Sequence, residues 1–131
     1  MSYRLTATSS AQLQGQVQFE NNQVQFGVTK QSDLPSPAEL LIAAFAACCL
    51  KNIQRFSEMM NFEYDTAGIS VVAERQDKPP MINAITYEIE IKSTDSKLNE
   101  ELLLRNIQKY GTIYNTLNAV CQIEGNITVK R

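Results

Sequence analysis

A chain of 131 residues, 44% hydrophobic and 20% charged, is sized for one domain with a core of its own, spanning residues 1–131. Its formal net charge of -2, from scattered acidic and basic side chains, leaves no electrostatic footprint for nucleic acid. The absence of histidine excludes Ser-His and Cys-His catalysis and removes the usual nitrogen ligand from any metal site, so no metal or other cofactor is expected.

The chain starts Met1-Ser2-Tyr3-Arg4-Leu5, an alternating pattern without the apolar core of a signal peptide. Tyr3, Leu5 and Ala7 predict a first strand. Leu13, Val17 and Phe19, then Val24, Phe26 and Val28, alternate with polar residues and predict a hairpin over 12–29, turned at Asn21-Asn22. A long helix follows. Ser36 is a natural N-cap, Pro37 suits the first helical position, and Glu39 stands where a capping box is closed. From Leu40 to Leu50 the run is apolar on every side and therefore predicts burial all round. It is nonetheless far short of the roughly 20 residues that span a bilayer, so no membrane association is expected. Beyond Lys51 it becomes amphipathic, with Ile53, Phe56 and Met60 opposite Lys51, Gln54, Arg55 and Glu58, and the helix is expected to run to about Asn61.

Ile69, Val71 and Ala73 form the next strand, followed by a turn at Asp77-Lys78-Pro79-Pro80. Ile85, Tyr87, Ile89 and Ile91 then alternate cleanly with Thr86, Glu88, Glu90 and Lys92. A second helix through Leu98, Leu103 and Ile107 is expected to begin near Ser96 and to stop at Gly111. A short helical piece through Ile113 and Leu117, and a strand through Ile123, Ile127 and Val129, complete the chain. This order predicts an α+β fold with antiparallel sheets around a long buried central helix. One chain of this length has little material to cover both sides of Leu40–Leu50, so a homodimer with that helix near the interface is expected.

Three cysteines, two of them adjacent, do not form a disulfide framework and suit a reducing, cytoplasmic setting. Cys48 reads either as a small core residue or as a nucleophile, and Cys49 and Cys121 read as packing residues. Lys51 is the nearest obvious cation to Cys48 in sequence. Cys121 lies ten residues beyond Gly111, about 15 Å if the segment is helical. That is outside the reach of a disulfide.

The motif Ser-Pro-x-Glu-Leu-Leu-x-Ala-Ala-x-x-Ala-Cys, complete from Ser36 to Cys48, resembles that of the OsmC/Ohr family. The Glu74–Pro80 turn and Lys109-Tyr110-Gly111 also fall where the family has comparable features. The resemblance implies an intertwined homodimer with two active sites at the subunit interface, and reduction of organic hydroperoxides in oxidative stress defence. It assigns Cys48 the peroxidatic position and places the resolving cysteine immediately after Lys109-Tyr110, where this chain has Gly111. In the peroxidases the residue after the proline is a glutamate holding an active-site arginine. Here it is Ala38, Glu39 matches a different acid of the motif, and no basic residue lies between Arg4 and Lys30. In this the chain is similar to the divergent YhfA-like branch of the family. The implied enzyme is thus a one-cysteine variant, acting on a small hydrophobic peroxide and resolved by an external thiol or dithiol. Tyr110, Gly111 and Tyr114 would line its pocket. The alternative is a homodimer that binds a small apolar ligand without turnover, its pocket widened at Gly111.

Overall fold

The computed structural model describes residues 1–131 and carries its elements in the expected order. They are β1 (Thr6–Ser9), β2 (Gln14–Gln18), β3 (Gln23–Gly27), α1 (Pro37–Met59), β4 (Thr66–Asp77), β5 (Pro80–Lys92), α2 (Glu100–Tyr110), α3 (Thr112–Asn118) and β6 (Gln122–Lys130). The fold is α+β, with two three-stranded sheets and three helices. Two compact units, Met1–Leu41 and Ile42–Arg131, are described separately.

The first unit is an antiparallel meander in the order β1-β2-β3. Its β2–β3 hairpin turns at the two asparagines, where the Phe19 N–H donates to the Asn22 carbonyl at 2.8 Å. The first strand is displaced from its expected place. Thr6 pairs with Gln18, the last residue of β2, so Tyr3 and Leu5 have no strand left to pair with and stay exposed. At the start of α1 the capping box is complete. The Ser36 N–H donates to Glu39 Oε1 at 3.0 Å, and the Glu39 N–H donates to Ser36 Oγ at 3.1 Å.

The second unit is built around β5. Ile85, Tyr87, Ile89 and Ile91 are buried, while Thr86, Glu88, Glu90 and Lys92 are exposed, as a half-buried strand requires. The strand β5 pairs antiparallel with β4 on one side. On its other side the pairing with β6 is parallel, unlike the antiparallel arrangement expected throughout. The reason is connection length: α2 and α3 lie between the two strands, and a helical crossover returns the chain in the same direction. Tyr87 stands opposite Gly125 in that ladder, and its ring occupies the space a side chain there would need.

The start of α2 also departs from expectation. Asp95 accepts the N–H groups of Glu63 and Lys97 at 2.8 and 2.9 Å, which holds residues 95–98 in a turn. Asn99, not Ser96, is the N-cap, its Oδ1 accepting from the Leu102 N–H at 3.1 Å. The stripe Phe45, Cys49, Ile53 and Phe56 of α1 enters the same core as Leu103 and Ile107 of α2 and Tyr114 and Leu117 of α3. Burial of Leu40–Leu50 all round does not occur within one chain. Leu41 is 42% exposed, and Ala43 and Ala47 are exposed too.

Candidate active site

Adjacent residues of a helix diverge by about 100°, so Cys48 and Cys49 leave α1 in different directions. Cys49 is 0% exposed in the core, and burial, reinforced by the neighbouring Cys48, pushes its thiol up to about 12. Cys121 is buried beyond α3; its thiol donates to the Ile82 carbonyl at 3.2 Å, and burial raises its pKa. Cys48 is only half-buried. All three thiols are free.

One turn on from Cys48, the Asn52 side chain folds back along the helix. Its Nδ2 donates to the Cys48 carbonyl at 2.8 Å and lies 3.6 Å from the Cys48 Sγ, a donor–sulfur contact. Asn52 is 8% exposed. Lys51, the nearest cation in sequence, is an exposed, solvated side chain. The signal for Asn52 was available in the i, i+4 spacing, which stacks its side chain over Cys48, and in its place beside the core residue Ile53.

Gly111 closes the site from the other side. It ends α2, its N–H donating to the Ile107 carbonyl at 3.0 Å, and its φ of -71° and ψ of 120° suit any residue. Space, not backbone conformation, is what a side chain would lack there. A Cβ would stand 2.9 Å from the Ile107 carbonyl oxygen, 3.0 Å from Tyr114 Cβ and 3.3 Å from Cys48 Sγ. The position expected for a second thiol therefore does face the first one. Within one chain, Ile107 and Tyr114 stand close on either side of Gly111.

The other expected site residues divide. Tyr114 is buried in an aromatic cluster, 5.5 Å from the Phe45 ring and 6.0 Å from the Tyr87 ring, and its hydroxyl is 3.3 Å from that of Tyr87. Burial raises the pKa of both phenols. Tyr114 fills core and backs Gly111. Tyr110 is half-exposed, its ring 5.9 Å from Phe56 and 5.3 Å from the Lys109 Nζ. Glu39 is exposed and engaged in the capping box, which is a structural task. Arg4 and Lys30, the only N-terminal cations, are exposed residues of the first unit.

Residues 30–125 match the family model described as OsmC-like protein. Among solved structures, the chain is similar to an OsmC-like protein from Mycoplasma pneumoniae. The TM-score is 0.84 and the identity 18%, over 100% of this chain and 99% of that one. It is also similar to the organic hydroperoxide resistance protein OsmC from Legionella pneumophila (TM-score 0.74, 14% identity, 97% and 98% covered). The organic hydroperoxide resistance protein OhrB of Bacillus subtilis matches with a TM-score of 0.64 and 13% identity, over 98% of each chain. No curated protein sequence matches. At these identities the structural likenesses speak for the fold alone, and the family model covers most of the chain: this protein belongs to the OsmC-like family.

Proposed function

We propose that the protein is a thiol-dependent peroxidase for small hydrophobic organic hydroperoxides, with Cys48 as its single redox-active cysteine. The observation that carries this reading is the contrast among the thiols. Cys48 alone is partly exposed and has an amide donor at its sulfur, whereas Cys49 and Cys121 are buried and held neutral. In the first step the Cys48 thiolate attacks the outer peroxide oxygen. An S–O bond forms, the O–O bond breaks, and the alkoxide leaves and takes up the proton that the thiol released. Cys48 is oxidised to a sulfenic acid and the peroxide is reduced to an alcohol. An external thiol condenses with the sulfenic acid to a mixed disulfide and water, and a second thiol releases Cys48 as the reductant leaves oxidised. With Gly111 where the resolving thiol of a two-cysteine enzyme would be, the sulfenic acid is resolved by an external thiol and not by an internal disulfide.

A homodimer in the reducing cytoplasm is part of this reading. It is supported by the apolar residues that one chain leaves uncovered, including Leu41 of α1 and Leu13, Phe19 and Val24 of the first unit. The test is steady-state reduction of tert-butyl hydroperoxide with dithiothreitol by the wild type and by Cys48→Ser. Turnover that disappears in the variant supports the proposal. Equal rates in the two proteins, or none above the uncatalysed reaction, overturn it.

A further inference from the structure

We infer that Asn52 is a positioning residue for the Cys48 sulfur, an inference that rests on the reading of Cys48 as the nucleophile. A buried asparagine in mid-helix must find acceptors for its amide N–H groups, and this one finds both on a single residue. Its two N–H groups match two acceptors, the Cys48 carbonyl at 2.8 Å and the Cys48 Sγ at 3.6 Å. The carbonyl bond fixes the amide against the helix, and the fixed amide then holds the sulfur. That hold leaves the sulfur beside Gly111, 3.3 Å from where a side chain there would begin.

The same contact acts on the chemistry. Negative charge on the Cys48 sulfur, before attack and as it returns when a mixed disulfide is cleaved, faces a donor whose geometry is set before the reaction. A preorganised donor of this kind needs no reorganisation as charge develops. Cys49, one residue away, has no such partner and sits in an apolar shell. Asn52 thus gives the two adjacent thiols different chemistry.

The test uses iodoacetamide alkylation of the reduced full-length protein, with tandem mass spectrometry resolving Cys48 from Cys49. Wild type is compared with Asn52→Leu, which removes the donor, and Asn52→Asp, which keeps the shape and adds a carboxylate. Circular dichroism confirms that each variant is folded. The expected order of Cys48 alkylation at neutral pH is wild type, then Leu about tenfold slower, then Asp slower still. A purely structural role predicts that a folded Leu variant, which lacks the donor but nearly keeps the volume, alkylates Cys48 at the wild-type rate, and that result would overturn the inference. Unchanged rates in both variants would overturn it equally. If the Leu variant does not fold, Asn52→Ala takes its place under the same criterion: slower alkylation of Cys48 supports the role, and an unchanged or faster rate contradicts it. No peroxide enters this experiment, so its failure is separable from a failure of the peroxidase reading.

Discussion

Two faces of one helix meet at its adjacent cysteines, and they obey different rules. The face of Phe45, Cys49 and Ile53 is fully buried in the core of the second unit, with the Phe45 ring 5.6 Å from that of Tyr87. The face bearing Cys48 is half-buried, holds a polar neighbour at its sulfur and meets a glycine in place of a side chain. Cysteine in the first setting is a small apolar residue; in the second, on the proposed reading, it is a reagent. The direction in which a side chain leaves the helix decides what the thiol can do. Residue type alone does not.

The largest effect is expected from Gly111→Cys, which returns a thiol to the position facing Cys48. The built Cβ is 3.3 Å from Cys48 Sγ, within the range a disulfide spans, although the Ile107 carbonyl at 2.9 Å must yield slightly. After one equivalent of hydroperoxide, the variant should lose 2 Da as an internal disulfide forms, and dimedone should trap no sulfenic acid. Wild type should give the dimedone adduct. Trapping of equal amounts in both proteins would mean that position 111 does not reach Cys48 in solution.

On the core face, Phe45→Ala should cost about 3–5 kcal/mol in urea denaturation, because the aromatic cluster with Tyr87 and Tyr114 loses its centre. A loss near zero would mean that the stripe is not core. Cys49 adds a pH signature. Its thiol is raised from 9.0 to about 12, so the fold favours the neutral form. That stability is complete below pH 9 and drains as pH rises towards 12, because the unfolded chain ionises first. Wild type should therefore lose stability more steeply than Cys49→Ala between pH 9 and 12, and parallel curves would contradict the burial of this thiol. The smallest effect belongs to Glu39→Ala. Removing one half of the capping box should cost about 1 kcal/mol and leave Cys48 oxidation unchanged. A loss of peroxide reactivity in that variant would assign Glu39 a role at the site.

What was legible in the sequence was local. Ser36, Pro37 and Glu39 announce a helix start within four residues, and both capping hydrogen bonds form. Ile85 to Ile91 alternate because β5 has one dry face, and that face is the one buried. What was hidden depends on partners distant in sequence. No pattern within β6 says that it runs parallel to β5, since direction is set by the intervening helices. The start of α2 shifts to Asn99 because Asp95 is occupied by the distant Glu63 N–H. At the site, Cys48 and Gly111 were marked by resemblance to the family motif, but their contact, 63 residues apart in sequence, required the fold. Asn52 carries no such mark, because hydrophobic patterning does not distinguish a buried polar residue from a solvated one, and this one is buried.

One of the three thiols is set apart by its surroundings. The most direct test is site-resolved oxidation of the reduced protein by tert-butyl hydroperoxide, quenched over time and read by mass spectrometry at Cys48, Cys49 and Cys121. Cys48 should be oxidised at least tenfold faster than either neighbour, and faster than the same residue in urea-unfolded chain, where a free thiol with a pKa of about 8.5 is mostly protonated at neutral pH. Oxidation of Cys48 in the folded protein no faster than in the unfolded one would contradict the claim.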